Sequence, residues 1–134
     1  MTGQQFEKDF CELLRHMGYW VLNIPRNASG AQPFDVIAVK GKEVFALDCK
    51  VCENNRFPLS RIEDNQWLAF NAIETKSEIA CAGIAVLYDG EIFLITNDEL
   101  GNAARSGKKS VNLNFKYPLW TENIIDDFLG KKLR

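Results

Sequence analysis

Asp35, Asp48 and Lys50 are the residues whose types and spacing could do chemistry together. A pair of carboxylates suits a hard divalent cation such as Mg²⁺. A cation held there polarises a phosphate ester and lowers the pKa of a bound water. An ammonium beside it orients that water or offsets charge building up on the phosphate oxygens. Taken as residues alone, the same three groups could also be solvated charges on a half-buried sheet, because short motifs recur by chance.

Whether they meet depends on the strands that carry them. Residues 34–40 and 43–50 are apolar and β-prone, and Gly41-Lys42 between them fits a two-residue hairpin turn with glycine at its first central position. That turn places Lys40 opposite Glu43, Ile37 opposite Ala46, and Asp35 opposite Asp48. Directly opposed side chains have Cβ atoms roughly 5 Å apart, and like charges there are destabilising. A bridging cation would remove the conflict. Strand alternation puts Lys50 on the face of Asp48, and a slip of one residue would scatter the group.

The flanking elements follow from periodicity. Phe6, Phe10, Leu13, Leu14 and Met17 form one apolar stripe, so a helix is expected over residues 3–17, ended by Gly18. Residues 19–24 read as a buried strand, and residues 25–33 as a loop of turn formers. Ser60-Arg61-Ile62-Glu63 has the form of a capping box opening a helix at Ser60, with Ile62, Gln66, Ala69, Phe70 and Ile73 on its buried stripe. Strands over 82–88 and 91–96 are joined by Asp89-Gly90. Helices near 98–104 and 121–129 follow. This order predicts one α/β domain over residues 1–134, a mixed sheet with helices packed on it.

Composition sets the outer limits. The chain has 134 residues, 46% of them hydrophobic, enough for a core at this length. No run approaches a membrane span, and Met1 to Glu7 lack the pattern of a signal peptide, so a cytoplasmic location is expected. Four cysteines, Cys11, Cys49, Cys52 and Cys81, then read as reduced thiols. Cys49 and Cys52 form a lone C-x-x-C, which leaves a zinc or redox site as a minor alternative. Net charge is −2, yet residues 101–134 carry 7 basic and 3 acidic residues against 9 and 15 in the first hundred. Charge neither establishes nor excludes DNA.

Pro33-Phe34-Asp35 followed by Asp48-Cys49-Lys50 resembles the signature of the PD-(D/E)XK nucleases. The surroundings resemble their Holliday junction resolvases, both the RecU-like bacterial and phage enzymes and the archaeal ones. Gly3-Gln4-Gln5-Phe6-Glu7 matches the opening G-x-x-F-E. Arg26-Asn27-Ala28-Ser29-Gly30 matches the archaeal R-x-x-S-G loop. Phe57-Pro58-Leu59-Ser60-Arg61-Ile62 and Gln66 resemble the segment after the RecU catalytic lysine. The likeness covers roughly residues 3–70.

The resemblance implies a restriction-endonuclease-like fold and Mg²⁺-dependent hydrolysis of branched DNA, with Mn²⁺ as a substitute, by a homodimer. It implies Glu7, Asp35 and Asp48 as metal ligands, Lys50 as the charged helper and Gln66 at the catalytic site. Arg26 and Ser29 would meet a phosphate beside the scissile bond. Arg56, Arg61, Lys108 and Lys109 are further candidates for DNA contacts, with Lys116 extending the track. Trp67 and Trp120 are expected to pack rather than stack on bases, and residues 117–129 offer an apolar strip for a dimer. The RecU stalk is missing: the connection over residues 51–59 is too short for it. The alternatives are a nuclease of the same superfamily acting on flaps, single strands or duplexes, and a non-catalytic DNA-binding or interaction module on the same fold.

Overall fold

The computed structural model describes residues 1–26 and 32–115, for Phe115 the backbone only. The first helix, α1 (Gly3–His16), is capped by the Thr2 hydroxyl, which accepts from Gln5 N at 3.1 Å. It ends in a Schellman motif, with Gly18 N donating to Arg15 O and Tyr19 N to Leu14 O. Gly18 sits at φ +95°, a conformation that glycine adopts without strain. The stripe expected from the sequence is real: Phe6, Phe10, Leu13 and Leu14 are all buried.

Three strands follow, β1 (Trp20–Asn23), β2 (Val36–Lys40) and β3 (Glu43–Val51). The β2–β3 ladder runs from Lys40↔Glu43 to Val36↔Leu47, the predicted register. Next come β4 (Arg56–Pro58), a 3₁₀ turn at Leu59–Arg61, and α2 (Asp64–Lys76). Then follow β5 (Ala80–Tyr88), β6 (Glu91–Thr96), α3 (Asn97–Arg105), β7 (Ser110–Asn112) and a 3₁₀ turn at Leu113–Phe115. The main sheet has the order β1-β2-β3-β5-β6. Only β3 and β5 run parallel among these neighbours, so the connection through β4 and α2 must cross over a sheet face.

Two apolar layers cover the sheet. Val36, Ala38, Leu47 and Ala85 pack under α1. Ala82, Ile84, Val86, Phe93 and Ile95 pack under Phe70 of α2 and Leu100 of α3. Strand alternation therefore turns Asp48 and Lys50 away from the α1 layer and toward the side of α2.

Three expectations need correction. The first strand is not buried: it is a sheet edge, with Trp20 62% and Leu22 45% exposed. Its apolar run reflects the layer below α1 on one side only. The second helix does not open at Ser60, which lies in the 3₁₀ turn. It opens after Glu63, because Gln66 reaches back to accept from Glu63 N at 3.0 Å and so marks the true first turn. The short pairing of β4 with β7 (Phe57↔Val111) was unforeseen, since strands of three residues leave no periodic signal. The expected helix near 121–129 lies outside the described residues. Among the described residues, no helix is long and apolar enough to cross a membrane.

Candidate active site

Asp35 stands just before β2, one step beyond the last ladder pair, and here the hairpin departs from regular pairing. Asp35 N donates to Leu47 O at 2.9 Å, and its carboxylate oxygen Oδ2 accepts from Cys49 N at 2.8 Å. The carboxylate thus takes a backbone donor that a regular ladder would have given to a carbonyl. The carboxylate lies near enough to the Asp48 carboxyl to act on its ionisation. Both aspartates are buried, at 8% and 4% exposure. Lys50 Nζ lies 3.1 Å from Asp48 Oδ2. That oxygen is fully buried and, though near the ammonium, has no well-aligned hydrogen bond.

These surroundings push the Asp48 pKa up to about 7. Burial is the largest cause, then the hydrogen bond and negative charge of Asp35, against an opposing pull from Lys50. Burial beside a second acid disfavours the ionised form of Asp48, and a divalent cation held by the two carboxylates would favour it. Among the described residues, no three His, Cys, Asp or Glu side chains stand close enough to enclose a metal by themselves. A Mg²⁺ ion needs no such cage: one or two carboxylates suffice, with water and substrate phosphate filling the remaining positions. Asp35 and Asp48 fit that requirement. The acids line a cavity of about 160 Å³, whose other walls include Arg26, Gln32, Lys50, Glu63 and Gln66.

The sequence matches the family model of the archaeal Holliday junction resolvases over residues 1–115. The chain belongs to that family. The fold agrees: the structure is similar to the Hjc Holliday junction resolvase of Archaeoglobus fulgidus, with a TM-score of 0.61 at 18% identity. The match covers 92% of this chain and 98% of that one. No curated protein sequence matches. Membership makes the chain a structure-specific nuclease.

The family resemblance also pointed to Glu7, and the structure sets it at one remove from the pair. It is 6% exposed on α1, and Asp35 is close enough to help burial raise its pKa. Its Oε2 lies 3.6 Å from Arg26 Nη2, an ion pair whose arginine is 56% exposed. Asn23 completes the cluster. With its amide nitrogen turned inward, it donates to Glu7 Oε1 at 2.8 Å and to Asp35 O at 3.2 Å; the reverse orientation would face its oxygen only with acceptors.

The other expected residues divide. Arg26 and Gln66 line the cavity of the acids. Gln66 is 4% exposed, with its oxygen committed to Glu63 N. Arg56 and Lys108 share a separate, larger groove with Asn102, Ser106 and Ser110. Arg61 is tied down, donating to Val51 O at 3.0 Å and to Cys52 Sγ, and lying 5.6 Å from the Phe57 ring centre. Lys109 is exposed, and its carbonyl accepts from Leu59 N. Trp67 is half-buried against the α2–α3 layer, as expected. Ser29, Lys116, Trp120 and the apolar strip at 117–129 lie outside the described residues. Cys49 and Cys52 are free buried thiols.

Sequence reasoning missed Asn23, Gln32 and Glu63. A lone asparagine inside Trp-Val-Leu-Asn-Ile was the available signal for Asn23, since strands disfavour asparagine.

Proposed function

We propose that this chain resolves four-way DNA junctions by Mg²⁺-dependent hydrolysis of phosphodiesters. The observation that carries the reading is the buried pair Asp35–Asp48, with its unsatisfied oxygen and Lys50 at 3.1 Å. A cation held by Asp35 and Asp48 would supply Lewis-acid activation of the phosphate and of a water, and Mn²⁺ would substitute.

The chain's own groups do the rest. Asp35 and Asp48 would hold the cation, whose charge would offset the burial that keeps Asp48 hard to deprotonate. Lys50, 3.1 Å from Asp48, is placed to donate to the attacking water or the phosphate oxygens. Arg26, largely exposed at the cavity mouth, meets a neighbouring phosphate in a charge-assisted pair. Arg56 and Lys108 are placed to meet the DNA backbone farther from the cut. Symmetric resolution needs two such centres, so a homodimer follows. The exposed Trp20 and Leu22 on the edge strand support apolar contact between copies.

The test compares the protein with Asp48→Asn on labelled four-way, forked and linear DNA, with Mg²⁺ or EDTA. Paired nicks at the junction with Mg²⁺ are expected, with none in EDTA. Asp48→Asn should lower the rate by about 1,000-fold or more. Equal cutting of linear DNA would replace the junction with a broader substrate. Equal cutting by Asp48→Asn would remove the acid pair from the mechanism.

A further inference from the structure

We propose that Asn23 is a positioning residue: it holds the Glu7 carboxylate against the Asp35 segment, so that the first helix adds its acid to the pair that binds the cation. The inference rests on the hydrolytic reading above and assigns a residue to it that no motif marks.

The β1–β2 ladder ends at Asn23↔Val36. Beyond it Ile24 N donates to Asp35 O at 2.8 Å, and the Asn23 amide donates to the same oxygen at 3.2 Å. The Asp35 carbonyl is therefore fixed by two donors, one from the last residue of β1 and one from the residue after it, while its carboxylate is fixed by Cys49 N. Asn23 shares its strand face with Val21, which packs in the layer under α1, so its amide points to the helix that carries Glu7. The second hydrogen of that amide reaches Glu7 Oε1 at 2.8 Å.

Among the described residues Glu7 also pairs with Arg26, and that contact is weaker by geometry: 3.6 Å, with the arginine half in solvent and facing the cavity. A DNA phosphate in the cavity competes directly for Arg26. The Asn23 bond is shorter and less accessible to a ligand. It is the contact that keeps the Glu7 carboxylate in place once substrate has drawn Arg26 away. A buried carboxylate without a donor would turn or neutralise instead. The chemistry asks for an uncharged donor at this point, because a cation would compete with the metal and a fourth acid would add to the repulsion.

The test uses Asn23→Leu, which keeps the branched heavy-atom shape and removes the donor, and Asn23→Thr, which keeps one hydroxyl donor. Mn²⁺ binding to the DNA-free protein is followed by electron paramagnetic resonance of the free ion, and kcat and KM are measured on a four-way junction with Mg²⁺. Asn23→Leu should bind Mn²⁺ about tenfold more weakly and lose about 10- to 100-fold in kcat, with KM little changed, as for other groups that orient metal ligands. Asn23→Thr should recover part of both losses. In a Glu7→Gln background, Asn23→Leu should cost less than about twofold more, because the two act as one unit.

Wild-type Mn²⁺ affinity and kcat in Asn23→Leu would overturn the proposal. So would a loss that multiplies fully with that of Glu7→Gln. If Asn23→Leu does not fold, Asn23→Ala, which also lacks the donor, is judged by the same criteria. An inert Asp48→Asn beside a fully active Asn23→Leu would remove only the role of Asn23; an active Asp48→Asn would remove the hydrolytic reading with it.

Discussion

The main sheet contains two hairpins closed by two-residue turns, and they are built for different ends. In β5–β6, the pairs Ile84↔Ile95, Ala85↔Leu94, Val86↔Phe93 and Leu87↔Ile92 are apolar throughout. Ile84, Ala85, Val86 and Ile95 are wholly buried. In β2–β3 the apolar pairs stop at Val36↔Leu47, and the next step holds two acids, one of whose carboxylates takes the Cys49 N–H. The first hairpin stabilises the sheet without reserve. The second gives up a regular ladder bond and confines two like charges at one end. A fold tolerates such a conflict where a ligand is meant to resolve it.

The comparison can be broken from the stable side. Ile95→Asp would place one acid in the β5–β6 hairpin opposite Ile84, with no donor or cation to answer it. An uncompensated charge there should cost about 4 kcal/mol in urea unfolding. A loss under about 1 kcal/mol would mean that this layer admits water, and that burying acids in the other hairpin is no mark of function.

A smaller effect sharpens the same contrast through pH. The folded-state pKa of Asp48, about 7, lies above its ordinary 3.8. Between these values the folded chain binds a proton that the unfolded chain has released. Stability therefore falls as pH rises from about 4 to about 7, and the cost is fully present above that. In metal-free buffer the fall should be at most about 4 kcal/mol, the value of the full shift, and largely absent in Asp48→Asn. Mg²⁺ added at pH 8 should recover it in the wild-type chain alone. Parallel curves for the two proteins would show that Asp48 is not the group in conflict.

The sequence made the acids and their register legible because both depend on local rules: strand alternation and a glycine turn that fixes which residue faces which. It could not show the bend at Asp35, which comes from a side chain taking the Cys49 N–H in place of a carbonyl. Ser60 misled because a serine three residues before a glutamate looks the same whether or not the chain between them is helical. The Glu63–Gln66 pair, which opens the helix, lacks the usual serine or threonine. Arg56 and Lys108 are 52 positions apart, and only the pairing of β4 with β7 puts them in one groove. Asn23 stayed hidden because its value lies in what α1 and Asp35 present to it.

The turn itself offers the smallest test. Gly41 sits at φ +58°, and a Cβ there would meet nothing within 4 Å. Gly41→Ala therefore costs backbone strain alone, about 1 kcal/mol, with no clash. The apolar pairs Ile37↔Ala46 and Val36↔Leu47 should hold the register without help from the turn, since a slip would turn their whole buried face to solvent. Junction cleavage per folded molecule should then be unchanged while the urea midpoint falls. If cleavage drops far more than the folded fraction, the turn sets the position of Asp35 against Asp48, and the strain at the site is carried by the whole hairpin rather than by its last step.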